Sequence, residues 1–450
     1  MSVSRRPAGP SGRLLSGNLN DFASAPLEFL TGVARDYGPI ASLRFGRSSA
    51  FLVNDASLIE QVMVTHRASF VKSRPLRAQR RVFGNGLLTN EGDSWLRQRR
   101  LAQPAFHRER IAAYASVIVD QTSELVESMQ PGSTQEIHAR FKALTVDIVS
   151  SALFGTDVAH RTSALGAALE ATMNRYASRR GLARFAPEWF PLPVNRSYRA
   201  AADSIEDTVL EIIAKRRAER VERHDLLSVL MDARYEDGSA MSDSQLRDEA
   251  VTLFLGGIDT PALALTWCWY LLSQHPDAAA SLTDEVDSVL GGRKATFKDL
   301  PRLCYTEMVV KEAMRLYPPA WLLSRDATEN VEIGDYEIPA GASVLLSPYL
   351  MHRRPDYFSD ADSFIPTRWR DGALDALPRF AYFPFGGGPR VCIGASFAMT
   401  EMTLCLATLA ARLRFTLADD ARVEASPSMT LRPRHGVHVV IHPREAQLPQ

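Results

Sequence analysis

The 450-residue sequence predicts a mainly α protein with small β-sheets (α+β), organised as a single domain over residues 21–450 behind a flexible tail at 1–20. Three observations predict it. Apolar residues recur at helical spacing through most of the first 320 residues. Strand-like alternation clusters near the two ends, at about 40–53 and 320–350. No repeat and no low-complexity linker divides the chain.

The elements follow in order. Residues 1–20 are polar and rich in Gly, Pro, Ser and Arg; they lack the apolar run of a signal peptide or a membrane span. Ile40–Phe45 and Ala50–Val53 alternate apolar and polar residues around Gly46-Arg47-Ser48, the pattern of a strand pair. Helical patterns cover 56–65, 93–103, 108–129, 138–154 and 161–177. A break rich in proline and aromatics at 185–193 precedes a polar helix at 196–222, and Asp225 is placed to cap the next short helix. A long helix opens near Ser242, with Asp243 and Ser244 in its first turn, and runs to Gln274, where His275-Pro276 stops it. Further helices fit 277–290, 297–301 and 303–316. In 320–350, Gly334 and Gly341 mark turns between strands.

Composition narrows the function. The chain is 46% hydrophobic, enough for a large core. Its 52 basic and 52 acidic residues cancel, which argues against a nucleic-acid partner. Four cysteines, at 268, 304, 392 and 405, form no CxxC pair and no dense framework. That pattern fits a reducing compartment and no structural zinc site. Cys268, Cys304 and Cys405 sit among apolar residues and are expected to pack in the core. Cys392 differs: it follows Phe385-Gly386-Gly387-Gly388-Pro389-Arg390-Val391 and precedes a helix that starts at Ala395. A helix start offers unsatisfied N–H groups and partial positive charge. Both favour a thiolate and lower the thiol pKa from its usual value of about 8.5. The glycines let the backbone run close to a flat ligand, and a thiolate so placed can be the axial ligand of a haem iron.

Phe385, Gly388, Arg390, Cys392 and Gly394 match every fixed position of Phe-x-x-Gly-x-Arg-x-Cys-x-Gly. The segment therefore resembles the haem-binding loop of the cytochrome P-450 monooxygenases, and the resemblance extends over residues 25–442. It implies that family's fold, with haem b (iron protoporphyrin IX) buried between a long distal helix and a proximal cysteine-loop helix, and Cys392 on the iron. Within the long helix, Gly256-Gly257-Ile258-Asp259-Thr260 resembles the family's (Ala/Gly)-Gly-x-(Asp/Glu)-Thr signature. Two glycines inside a helix cost about 1 kcal/mol each relative to alanine, a cost that close approach of a ligand would offset. The resemblance places Gly256 and Gly257 at the haem, Thr260 against dioxygen and water, and Asp259 in proton relay. Pro261 departs from the common pattern; it removes a backbone donor and predicts a local opening of the helix.

Glu312 and Arg315 lie at i, i+3 on one helix face. With Phe364-Ile365-Pro366-Thr367-Arg368 they resemble the family's Glu-x-x-Arg and Phe-x-Pro-x-Arg signatures, which implies a buried Glu312–Arg315–Arg368 network beneath the haem. Trp95 and Arg99 resemble the Trp-x-x-x-Arg pair and, with Arg325 and Arg390, are expected to serve the haem propionates. Arg97 and Arg100 read as solvated, or else as part of a basic patch for an acidic redox protein. His352 reads as structural.

By position in the family, the substrate pocket draws on Phe83, Leu87, Leu88, Leu253, Gly257, Ala320, Trp321, Leu322, Met429 and Thr430. These are mainly apolar and imply a lipophilic substrate: terpenoid, steroid-like, polyketide or fatty acyl. The implied reaction inserts one atom of O2 into a C–H or C=C bond, in secondary metabolism. The thiolate pushes electron density toward O–O cleavage. Only about forty ordinary residues follow the cysteine helix, so NAD(P)H electrons are expected to arrive indirectly, through a separate ferredoxin or flavodoxin and its reductase. A cytoplasmic monomer without a membrane anchor is expected. A peroxide-driven or non-oxidative haem-thiolate enzyme, and a haem-binding sensor or carrier, are the rivals; the Asp259–Thr260 pair speaks against the peroxide-driven one.

Overall fold

The computed structural model describes residues 6–155, 192–219, 225–372 and 376–444. In chain order, the α-helices of seven or more residues among the described residues are α1 (Pro26–Tyr37), α2 (Gly92–Ala102), α3 (Arg108–Ser128), α4 (Ile137–Phe154), α5 (Pro193–Glu219), α6 (Leu226–Asp232), α7 (Asp243–Gln274), α8 (Pro276–Leu290), α9 (Cys304–Leu316) and α10 (Ala395–Ala410). The strands are β1 (Ile40–Phe45), β2 (Ser48–Val53), β3 (Phe70–Lys72), β4 (Thr134–Glu136), β5 (Leu323–Ala327), β6 (Val331–Ile333), β7 (Tyr336–Ile338), β8 (Ser343–Leu346), β9 (Leu413–Leu417), β10 (Ala425–Pro427), β11 (Leu431–Pro433) and β12 (His438–Pro443). The helix expected at 161–177 and nearly all of the break at 185–193 lie outside the described residues. The chain falls into two compact units, Met1–Arg77 with Lys311–Cys392, and Ala78–Val310 with Ile393–Gln450.

The first unit is built on a five-stranded sheet of order β1-β2-β8-β5-β3. β1 and β2 form an antiparallel hairpin that turns at Gly46, where φ is +63°. β2 runs parallel to β8, and the remaining pairs are antiparallel. The run Ala50–Val53 is fully buried because β2 is an inner strand, with neighbours on both edges. One apolar cluster, including Ile40, Phe51, Phe70, Val344 and Phe380, fills this unit. Residues 8–18 run beside β1, with the Ser42 N–H donating to the Ala8 carbonyl (2.8 Å) and the Asn18 N–H to the Arg44 carbonyl. The expected turns at Gly334 and Gly341 are present, both at positive φ. The expected helix at 56–65 changes character halfway. Ala56–Glu60 is α-helical, and Gln61–Thr65 widens to a π-helix.

The second unit is helical around α7. The Ser242 side chain caps α7 by accepting from the Gln245 N–H (3.2 Å), and His275 ends it before Pro276 opens α8. Most positions of α7 between Leu246 and Leu272 are buried, so it is enclosed around most of its circumference. Helices of that kind are core elements. α7 has the length and composition to cross a membrane, yet 72% of its apolar window is buried inside the protein. α7 packs on α4 and α5, and α10 packs on α3. A three-stranded antiparallel sheet, β4-β12-β9, and the β10–β11 hairpin complete the unit. The Trp267 indole N–H donates to the Leu431 carbonyl (3.0 Å), which fastens that hairpin to α7.

Candidate active site

In the first unit, the cysteine loop is held by its glycines. Gly386 and Gly388 have φ of +71° and +64°, a region that favours glycine. A Cβ at Gly388 would overlap the Met63 carbonyl oxygen, and one at Gly387 would overlap the Phe380 ring. The loop closes on itself through the Cys392 N–H, which donates to the Phe385 carbonyl (2.9 Å). Its thiol is exposed and in no disulfide. Burial pushes the Cys268 and Cys405 thiols far up, so both are inert core groups. Cys304 corrects the sequence expectation: it is exposed, because Leu303 takes the inward position at the start of α9 and the Cys304 thiol donates to the Pro301 carbonyl (3.3 Å). Arg390 donates to the Phe70 carbonyl (2.9 Å), and the buried Arg325 donates from Nη1 to the Ser324 carbonyl (2.9 Å).

The same unit brings Glu312, Arg315 and Arg368 into one buried cluster. Arg315 donates from Nε and Nη2 to both Glu312 oxygens (2.8 and 2.9 Å), the bidentate geometry that makes such pairs strong. Arg368 Nε, the Trp369 indole and the Ile365 N–H each add a bond of 2.9 Å to the same carboxylate. Arg315 also donates to the carbonyls of His352 (2.8 Å), Ala361 (2.5 Å) and Ser363 (2.9 Å), so the pair ties α9 to the segment 352–369. His352 is fully buried and kept neutral by desolvation and the nearby Arg315; its Nε2 accepts the Phe383 N–H (2.9 Å). Trp321 is buried in this unit, with Ala320 and Leu322 half-buried.

In the second unit, α7 is less buried along one stripe. Gly256 is exposed and Leu253, Gly257 and Thr260 are half-buried, whereas Phe254, Leu255, Ile258, Asp259 and Pro261 are buried. Positions 253, 256, 257 and 260 share a helix face. The two glycines have different causes. A Cβ at Gly257 would meet Val149 of α4 at 2.8 Å, so that glycine serves helix packing, whereas a Cβ at Gly256 would meet nothing within 4 Å. The Thr260 hydroxyl donates to the Gly256 carbonyl (2.9 Å). α7 runs unbroken through Pro261, so the local opening expected there is not a break in the helix. The neighbouring Ile258 carbonyl accepts from the Thr145 hydroxyl (2.9 Å).

Asp259 turns into the protein. Its carboxylate accepts from Arg432 (2.6 Å) and from the Thr430 hydroxyl (2.8 Å), both on or beside the β10–β11 hairpin. His138, whose proton affinity burial lowers and Asp259 partly restores, lies beside this cluster. Thr430 is thus engaged with Asp259, while Met429 next to it is 37% exposed. Phe83 and Leu87 are buried and Leu88 is half-buried. On α2, Trp95 is buried and the Arg99 guanidinium lies 5.8 Å from its ring centroid, on the face their spacing predicts. Arg97 and Arg100 are exposed, and Arg100 pairs with Glu236 (3.3 Å). Arg432, beside Asp259, and Trp369, beside Glu312, are neighbours that the sequence reading did not pair with those acids. Arg432 and Asp259, for instance, are 173 positions apart.

The donor set fits a haem. Among the described residues no group of three or more His, Cys, Asp or Glu side chains could chelate an ion. Of the two exposed thiols, Cys392 alone lies on a glycine-rich loop, which would leave room for the flat face of a haem whose iron the thiolate could hold. The comparisons agree. The cytochrome P-450 family model matches residues 7–448. The chain is 37% identical to cyclooctatin synthase of Streptomyces melanosporofaciens over 434 residues, covering 95% of this chain and 94% of the relative. It is 32% identical to pentalenene oxygenase of Streptomyces avermitilis over 428 residues, covering 94% and 92%. In fold it is similar to the retinoic-acid-bound cyanobacterial CYP120A1, with a TM-score of 0.88, 23% identity, and 98% and 99% of the two chains covered. The chain belongs to the cytochrome P-450 family, as a haem b-dependent monooxygenase that acts on a lipophilic substrate with O2 and electrons from a redox partner.

Proposed function

We propose that the chain hydroxylates a cyclic terpenoid, with Cys392 as the thiolate ligand of the haem iron. The observation that carries the ligand assignment is the exposed Cys392 thiol on a glycine-closed loop, against two inert buried thiols and one at a surface helix start. The substrate class rests on relatives named cyclooctatin synthase, cyclooctat-9-en-7-ol 5-monooxygenase and pentalenene oxygenase. The apolar Leu87, Leu88 and Leu253 favour such a ligand.

The reaction balances as RH + O2 + two electrons + two protons giving ROH + H2O. When bound, the haem supplies dioxygen activation. The residues of this chain supply the rest. Thr260 offers a hydroxyl on the less buried stripe of α7, able to accept a hydrogen bond while it donates to Gly256. Asp259, one position away, is the acid that passes protons toward that stripe. Arg325 and Arg390 in the first unit, and Trp95 and Arg99 in the second, would each offer donors to the propionates of a bound haem, and the Glu312–Arg315–Arg368 cluster would keep the cysteine loop rigid. A ferredoxin or flavodoxin with its reductase delivers the NAD(P)H electrons, guided by exposed cations such as Arg97 and Arg100. The enzyme works as a cytoplasmic monomer.

Two measurements test this. The reduced carbon-monoxide adduct of purified protein should show the red-shifted Soret band of thiolate ligation, and Cys392→Ser should abolish it. Titration with cyclooctat-9-en-7-ol and pentalenene should convert the ferric haem to high spin. A normal Soret band after Cys392→Ser would reject the ligand; a spectral response only to fatty acids or steroids would reject the substrate class.

A further inference from the structure

α7 carries two consecutive acids, Asp248 and Glu249, both buried. Acids so placed need donors, since an unsatisfied buried carboxylate is costly. Each finds a backbone N–H of the same loop. The Asn85 N–H donates to Asp248 (2.7 Å), and the Leu87 N–H donates to Glu249 (3.0 Å). Arg247 balances Asp248 at 2.5 Å and reaches Glu206 of α5 at 2.6 Å; Gln245 donates to the other Glu249 oxygen (3.0 Å).

The loop is shaped for this contact. Gly84 has φ of +52°, and a Cβ there would overlap the Asp248 carboxylate. A Cβ at Gly86 would overlap the Thr252 hydroxyl and lie 2.5 Å from the Asp248 carbonyl oxygen. Only glycine lets the backbone come this close. The loop is also knit internally, with the Thr89 hydroxyl donating to the Gly84 carbonyl (2.6 Å) and the Asn90 N–H to the Gly86 carbonyl (3.0 Å). It therefore sits on α7 as a rigid piece, held at two points.

The position of those points gives them a role. Glu249 lies on the same face of α7 as Leu253, Gly256 and Thr260, by successive steps of four, three and four residues. At 1.5 Å per residue it is about 10 Å along the axis from Gly256. The loop that Glu249 holds, with Leu87 and Leu88, thus stands at one end of the less buried stripe. We infer that Asp248 and Glu249 are positioning residues, which clasp Gly84–Leu88 to α7 and so set the length of substrate that the stripe accepts. This rests on the proposal that Leu87 and Leu88 line the substrate pocket. Charge-assisted bonds to backbone N–H groups are about twice as strong as neutral ones, so the clasp resists displacement by a bulky ligand.

Hydrogen exchange of the haem-loaded enzyme tests the clasp itself. In the unmutated protein the Asn85 and Leu87 amides should exchange at least about a hundredfold more slowly than an unstructured chain; exchange at loop rates would overturn the inference without any variant. In Asp248→Ala/Glu249→Ala, and less so in the shape-preserving Glu249→Gln, those two amides should exchange about tenfold faster while residues 262–272 of α7 stay unchanged. Unchanged exchange at 85 and 87 would refute the clasp. Binding of 4-phenylimidazole to the haem should then weaken about fivefold in the double variant, with imidazole, too small to reach the loop, unaffected. Faster exchange with unaltered 4-phenylimidazole binding would refute the specificity role and the pocket reading, and would leave the clasp standing as structure alone.

Discussion

Glu312 in the first unit and Glu401 in the second are both fully buried glutamates on helices, yet they are opposite cases. Glu312 receives five hydrogen bonds, from Arg315 twice, Arg368, Trp369 and the Ile365 N–H. Neither Glu401 oxygen has a partner among the described residues, and burial alone pushes its proton affinity well above the usual carboxylate range. The difference lies in the donors that the tertiary fold supplies: five to Glu312, and none among the described residues to Glu401. Glu312 is a carboxylate that joins α9 to the 359–369 segment. Glu401, within α10, is pushed by burial toward its neutral form. Asp259 has fewer donors than Glu312, one cation and one hydroxyl.

The comparison breaks most visibly at Glu312. Glu312→Ala leaves Arg315 buried without its partner, a change that costs about 3–5 kcal/mol. The expected outcome is haem-free or insoluble protein, read from soluble yield and Soret absorbance; normal haem content would show the network to be dispensable. At Asp259 the expected effect is on chemistry. Asp259→Asn should lower reductase-driven turnover about tenfold, or about 1.4 kcal/mol. Peroxide-driven turnover, in which both protons arrive with the oxidant, should be spared. Equal losses in both assays would remove Asp259 from proton delivery and leave it as the anchor of Arg432.

Glu401 sharpens the comparison through pH. Its folded-state proton affinity is raised, so the unfolded chain releases the proton first as pH rises. The stability of the unmutated protein should therefore fall relative to Glu401→Gln above the unfolded value of about 4.3, by about 1.4 kcal/mol per pH unit until the folded group also ionises. Urea unfolding of both proteins at several pH values between 4.5 and 7 measures this; parallel curves would mean that Glu401 is ionised and solvated. The smallest effect belongs to the exposed Arg100–Glu236 pair, with side chains 63% and 94% exposed. Arg100→Ala should shift stability by less than about 1 kcal/mol, while slowing reduction by an acidic redox protein if the basic patch guides it.

Several local clusters of the candidate site were legible in the chain. The cysteine loop is local, and its glycines, arginine and helix start are read directly from spacing. Glu312 with Arg315, and Trp95 with Arg99, are helix-face neighbours, which periodicity alone brings together. Gly256 and Gly257 were legible as an anomaly, but only the fold shows that Gly257 makes room for Val149. The apolar neighbours of Cys304 suggested burial, and its place at the first residue of α9 reversed that.

The sequence by itself determined the local chemistry: a thiol on a glycine turn, an acid and a hydroxyl in a long helix, and a helical frame with short sheets. Each depends on residues within a few positions of one another, where backbone geometry leaves little choice. Only the tertiary structure decided the partners of the buried acids. Arg432 reaches Asp259, the Asn85 and Leu87 amides reach Asp248 and Glu249, and nothing described reaches Glu401. Those pairings span more than 160 residues, so no spacing encodes them; they follow from which surfaces the folding chain brings together and the need to satisfy each polar group so enclosed.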